Sequence, residues 1–185
     1  AFSPAIYEGK AEVEGIEGVR CDSLEEMVIA VAERKIPVLE DPECQLAMEW
    51  RPDVVVDAII AKKNLGTTIR DAKIVIGVGP GFTAGADCHC VVETKRGHDL
   101  GRVLWKGSAV PNTGVPGMIG GYAKERIIRA SGDGIFKGMC RIGDLVEKGQ
   151  LVGMAGENPI YAEIPGVVRG LLQDGVPVKM GMKSG

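Results

Sequence analysis

Leu24, Met27, Val28, Val31 and Ala32 recur at helical spacing and predict one buried stripe. The Ser23-Leu-Glu-Glu26 that opens this stretch is a capping box, in which the serine hydroxyl meets the N–H three residues on and the glutamate reaches back. Ile36-Pro-Val-Leu39 reads as a short strand, and Asp41-Pro42 predicts a second helix with aspartate as N-cap and proline at the first position. That helix must end before Pro52. Val54-Val-Val56 and Ile74-Val-Ile76 are apolar on both faces, as central parallel strands covered by helices are. Alternating strand and helix is the grammar of a layered α/β domain. Residues before Ser23 are too few and too polar to supply its first βαβ unit. The reading for 1–88 is therefore an incomplete, Rossmann-like parallel-sheet domain with its opening missing.

From about His89 the helical period disappears, and 89–127 reads as a glycine-rich β and loop segment. Arg102-Val-Leu-Trp-Lys106 suggests a strand, and Pro111-Asn-Thr-Gly114 and Val115-Pro-Gly-Met-Ile-Gly-Gly121 are loops by composition. Residues 128–185 contain a duplication: Ile128–Gly153 aligns without a gap on Ile160–Gly185 at an offset of 32. Ile128/Ile160, Ala130/Ala162, Gly134/Gly166 and Val146/Val178 are identical pairs. Two copies are too few for a solenoid. They predict short strands packed about a pseudo-two-fold axis, with Gly143-Asp144 and Asp174-Gly175 as hairpin turns.

Composition narrows the class. Among 185 residues, 45% are apolar, 25% charged and 4% aromatic, and 27 are glycine, which fits a turn-rich globular chain rather than a helical one. A net charge of -3 gives no support for nucleic-acid or anionic-membrane binding. The five cysteines are scattered without C-x-x-C spacing, which argues against a disulfide framework and for a reducing cytoplasm. No signal peptide or membrane-length apolar run is visible. A chain that opens on Ala1 rather than methionine points to processing or to a fragment.

Three segments could carry chemistry. Gly77-Val-Gly79-Pro-Gly81-Phe-Thr-Ala84 follows a predicted buried strand, where glycines let N–H groups approach a phosphate and where open α/β sheets bind ligands. The same glycines also suit a tight structural turn. Asp57, with Lys62-Lys-Asn64 behind it, could hold an anionic ligand and a polar group beside it, or form a solvated basic loop. Asp87-Cys-His89-Cys90, followed by Glu93 and His98-Asp99, has metal-ligand residue types. An extended segment, however, turns Asp87 and His89 away from Cys88 and Cys90, so no metal site is assigned. His89 and His98 are the only histidines, and acid–base work near neutral pH would fall to them first, with Asp99 adjacent.

Two resemblances carry the reading further. Ala130-x-x-x-Gly134, a short strand, Gly143-Asp-x-Val146-x-x-Gly149-Gln150 and then the second copy are similar to biotinyl- and lipoyl-carrier domains, the barrel-sandwich hybrid. Those domains attach their cofactor to a lysine on the turn between the halves; here that turn, Met154-Ala-Gly-Glu-Asn-Pro159, has none, which implies neither biotin nor lipoate. Asp57-Ala-Ile-Ile-Ala-Lys-Lys-Asn-Leu-Gly-Thr67, the Gly77–Gly85 segment, Arg96-Gly-His-Asp-Leu-Gly-Arg102 and Pro111-Asn-Thr-Gly-Val-Pro-Gly117 together resemble the YqeB-type family of accessory, or maturation, proteins of selenium-dependent molybdenum hydroxylases.

The second resemblance implies a bacterial cytoplasmic protein acting on a molybdenum hydroxylase or its molybdopterin. Members carry a glycine-rich, nucleotide-binding-type segment before the position of Ala1, and they keep the equivalents of Asp87 and His89 but not the cysteines.

Three functions follow as expectations. A non-carrier accessory protein would present Asp57, Lys62, Asn64, Gly77, Gly79, Gly81 and Asp87 to a pterin phosphate or nucleotide and dock the hydroxylase through its β module. An oxidoreductase or transferase modifying the cofactor would use His98 or His89 as its acid–base group. A scaffold would do neither. Homo-oligomerisation is left open by all three.

Overall fold

The computed structural model describes residues 2–114 and 116–185; Val115, which opens the second predicted loop, and Ala1 lie outside them. The protein is mixed α/β, with several small sheets and few helices, and no sheet among the described residues closes into a barrel. It divides into two compact units, Ala1–Asn112 and Thr113–Gly185.

Unit 1 opens with a short helix α1 (Ala5–Glu8) and a hairpin of β1 (Lys10–Val13) and β2 (Ile16–Arg20). The two residues that join its strands, Glu14 and Gly15, both have positive φ (52° and 80°), as a type I′ turn demands. Helix α2 (Leu24–Ala32) then crosses over to β3 (Ile36–Val38), which lies parallel to β2. Residues before Ser23 thus supply the first strand of a βαβ unit, Ile16–Val38, but in a sheet separate from the one that holds Val54–Asp57. Glu12, Glu14 and Glu17 break the apolar pattern of the hairpin, which hides both of its strands in the sequence.

The capping box forms. Glu26 N–H donates to Ser23 Oγ at 3.2 Å, and Asp22 N–H donates to Glu26 Oε2 at 2.7 Å. The buried stripe is Leu24, Met27 and Ala30 rather than the one expected, and Val28 and Val31 face outward. The second helix, α3, is shorter than expected, spanning Gln45–Glu49. Asp41 still caps it from a distance, accepting Gln45 N–H at 2.9 Å and Ala47 N–H at 3.0 Å.

β4 (Val54–Asp57), β5 (Ile74–Val78) and β7 (Cys90–Val92) form a parallel sheet that ends in antiparallel β8 (Val103–Leu104). Between β5 and β7 lies β6 (Thr83–Ala84), paired with β9 (Gly107–Ser108). Two departures from the expected layering are clear. β3 belongs to a different sheet from β4 and β5, and the crossovers between β4, β5 and β7 contain no helix. One face of the sheet buries Val75 and Val91 with Phe82, Ala84, Cys88 and Ala109.

Unit 2 carries β10 (Gly134–Gly138), β11 (Leu145–Val146), β12 (Leu151–Ala155), β13 (Asn158–Tyr161), β14 (Gly166–Val167) and β15 (Pro177–Val178). Its pairing reproduces the duplication. Gly134 pairs with Val178, and their counterparts Gly166 and Val146 pair in turn. Leu151–Tyr161 has its counterpart in the bridge Arg129–Lys183. The core repeats too, with Ala130/Ala162, Phe136/Val168 and Val146/Val178 all in one buried cluster.

The predicted hairpin turns are corrected. Gly143-Asp144 and Asp174-Gly175 are turns, but each leads to a strand that pairs with the other copy. The hairpin of this unit is β12–β13, closed by Gly156-Glu157.

Candidate functional site

The carboxyl ends of β4 and β5 open into a cleft of about 400 Å³, walled by Lys62, Gly81, Thr83, Ser108 and Asn112 and by the Pro80 and Pro111 rings. Lys62 is the one charged side chain among the described residues that line it. A larger groove of about 610 Å³ lies in unit 2, between 138–142 and 171–174. It holds Arg141 and Asp174 among mostly aliphatic neighbours, and Asp174 Oδ1 is already engaged by Gly138 N–H at 2.7 Å. On charge the smaller cleft is the candidate site.

The Lys62 wall is set by the loop after β4. Asp57 is buried, and its two oxygens accept Ile59 N–H at 3.2 Å and the Thr67 hydroxyl at 2.6 Å. Asn64 closes the loop: its Oδ1 accepts Gly66 and Thr67 N–H, both at 2.8 Å, and its Nδ2 donates to Thr67 O at 2.8 Å. Between these staples Ile60 and Lys62 take left-handed backbone (φ 58° and 66°). For a β-branched residue that conformation is an outlier, costing about 1–2 kcal/mol. Strain of this kind persists where surrounding bonds over-determine it, and it clusters at functional sites.

The glycines of the second wall have neighbours that account for them. A Cβ on Gly77 would sit 2.5 Å from the Phe82 ring, and one on Gly81 (φ 114°) 2.5 Å from Lys63 Cα. Gly81 therefore presses directly on the lysine loop and fixes its distance. Gly79 donates its N–H to Val92 O at 2.8 Å.

Thr83 and Ser108, partners across β6–β9, bring their hydroxyls to 3.0 Å of each other. Asp87 Oδ2 accepts Thr83 N–H at 2.7 Å, a turn-closing bond. Glu93, buried at the end of β7, accepts Val110 N–H at 2.7 Å, Lys95 N–H at 2.7 Å and Thr94 N–H at 2.8 Å. These bonds, that from Val110 foremost, hold its carboxyl below the usual range against the opposing effect of burial. Val110 sits between Ala109 and Pro111 of the cleft, so Glu93 is the anchor of that wall.

The other sequence candidates sit elsewhere. His89 Nδ1 accepts Val75 N–H at 3.0 Å, while the backbone N–H of His89 donates to Val75 O at 2.8 Å. The imidazole proton is therefore left on Nε2. His98 and Asp99 lie in the exposed turn before β8, with Asp99 paired to Arg102 at 3.2 Å. None of His89, His98 and Asp99 lines the cleft. Burial pushes the Cys88 thiol up, and no group of metal-ligand residues converges among the described residues.

The structure thus groups Lys62 and Gly81 with the Asp57–Asn64 staples, and adds Thr83, Ser108, Asn112 and Glu93. Thr83 lies in the Gly77–Gly85 segment and Asn112 in Pro111–Gly117, whereas nothing in the sequence marks Ser108.

No family model matches the chain. Over all 185 residues it is 47% identical to the Escherichia coli (strain K12) protein named "Uncharacterized protein YqeB". All 185 residues of this chain are similar to that part of YqeB. The chain spans about a third (34%) of that relative. Among solved structures, an aspartoacylase family protein from Mesorhizobium loti is 21% identical with a TM-score of 0.31, covering 44% of this chain and 26% of its own. At that score the likeness assigns neither fold nor chemistry. Among the described residues no helix is long and apolar enough to cross a membrane.

Proposed function

We propose that this chain is the anion-holding part of a cytoplasmic accessory protein that serves a molybdenum hydroxylase. In this reading the cleft after β4 and β5 takes the phosphate end of a molybdopterin or nucleotide. One observation carries it: among the described residues the cleft lining has a single cation, two adjacent hydroxyls and a carboxamide, with no carboxylate to repel an anion. Lys62 supplies the charge, Thr83 and Ser108 donate to phosphate oxygens, and Asn112 meets a polar group beside them. Asp57, Asn64, Asp87 and Glu93 are positioning residues, since their oxygens already hold backbone.

The duplicated unit, without a carrier lysine, serves as a barrel-sandwich-like platform for the hydroxylase. The tie to a hydroxylase rests on the motif resemblance, and the cleft supports only the ligand chemistry.

The test is native mass spectrometry of the protein, purified without oxygen from a host that expresses a selenium-dependent molybdenum hydroxylase. The expected result is a phosphate-bearing adduct that Lys62→Gln reduces at least tenfold. Bare protein, or an adduct indifferent to Lys62→Gln, rejects the reading.

A further inference from the structure

The loop after β4 offers more than the Lys62 side chain. The backbone N–H groups of Ile60, Ala61, Lys62, Lys63, Asn64 and Leu65 meet no acceptor among the described residues. On either side of them the donors are taken: Ile59 N–H goes to Asp57, and Gly66 and Thr67 N–H go to Asn64. The free donors therefore form one uninterrupted run between the two staples.

The hand of the backbone alternates along that run. Ile60 and Lys62 have positive φ (58° and 66°), whereas Ala61 and Lys63 do not. Successive residues of opposite hand turn their N–H groups toward one side, and the concavity so formed, a nest, binds an anion. Hydration alone does not call for this arrangement. Ordinary φ values leave N–H groups just as open to water, and positive φ at a residue with a Cβ is costly. The run also borders the cleft. Lys62 lines it, and a Cβ on Gly81 in the second wall would fall 2.8 Å from the Lys63 backbone nitrogen.

We infer that the N–H groups of Ala61, Lys62 and Lys63 form an anion nest that seats a phosphate group, with the Lys62 ammonium beside it as counter-charge. The nest fixes where the phosphate sits, and the ammonium strengthens its hold. This deepens the function proposed above and rests on its placing a phosphate in this cleft, but it assigns donors that the earlier reading leaves unused.

Amide-resolved proton–nitrogen NMR of the chain, titrated with inorganic phosphate, tests it. The amide protons of Ala61, Lys62 and Lys63 should move downfield along one saturable curve. In Lys62→Gln the same amides should still move, at phosphate concentrations higher by about tenfold or more, because the donors belong to the backbone. Saturable movement at Thr83 and Ser108 that leaves those three amides in place overturns the nest and keeps the cleft reading. Movement of the three amides with none at Thr83 and Ser108 upholds the nest and rejects the seating proposed for the cleft. No saturable response at any amide rejects both. Guanosine monophosphate separates the two sources of phosphate. Tighter binding with added movement at Ala109 and Asn112 supports an organic phosphate in the nest, and affinity equal to that of inorganic phosphate supports a free one.

Discussion

The groove of unit 2 and the cleft of unit 1 are built in opposite ways. The groove is lined by 138–142 and 171–174, which are the same stretch of the two copies, so its walls echo each other. Duplication brings the same stretch to both walls, with Met139 and Cys140 answered by their counterparts Leu171 and Leu172, and leaves its charges, Arg141 and Asp174, at unmatched positions. The cleft is lined by stretches with no counterpart in the chain, and each wall has its own staple: Asp57 and Asn64 on one side, Glu93 on the other. Repetition makes a core, whereas a charge facing two hydroxyls takes residues that occur once.

This contrast can be broken at its strongest point first. Phe136→Ala removes a fully buried ring from the unit 2 core and should cost about 3–5 kcal/mol in urea denaturation followed by circular dichroism. The same change at its counterpart, Val168→Ala, removes fewer atoms and should cost roughly 2 kcal/mol. Equal losses would mean that the copies are not energetically distinct.

In unit 1, Gly81→Ala meets both a disfavoured φ and the Lys63 backbone, and a loss of about 2–3 kcal/mol is expected. Gly85→Ala, also at positive φ (86°) but with open space around it, should lose only about 1 kcal/mol. Comparable values would show that Gly81 does not bear on the lysine loop. Thr67→Val removes the hydroxyl from Asp57 and should cost about 1.5–2 kcal/mol. It should also weaken ligand retention, which a purely structural staple far from the cleft would leave unchanged.

The smallest effect is in pH. The carboxyl of Glu93 is lower in the folded chain than its ordinary 4.5, so its stabilisation is complete above about that pH and fades as pH falls through the folded value. Thermal melts of Glu93→Gln against wild type should therefore differ most near neutrality and converge in acid. A constant gap would exclude the charge on Glu93 as the source.

Some of this was legible in the sequence. The capping box at Ser23 works at short range, where residue order is geometry, and it forms. The β1–β2 hairpin is equally local but was missed, because Glu14-Gly15 is an uncommon I′ pair and glutamates interrupt the strands. The duplication was visible because a gapless offset leaves its mark on apolar spacing. Which strand pairs with which is decided in space, so Gly143 and Asp174 were misread as hairpin turns. In the cleft, Lys62 and Gly81 announced themselves by residue type, whereas Ser108 reaches the site only because β9 crosses to β6.

The strand exchange in unit 2 has a further consequence. β10 closes on β15 and β11 on β14, so each copy supplies edges that the other lacks. A short ancestral chain carrying one copy would have had to meet a second by diffusion, at a rate set by its abundance. With both copies on one chain, joined through Gly156-Glu157, that encounter becomes intramolecular and its effective concentration is fixed by the tether. The unit therefore assembles as a dimer would, independently of how dilute the protein becomes.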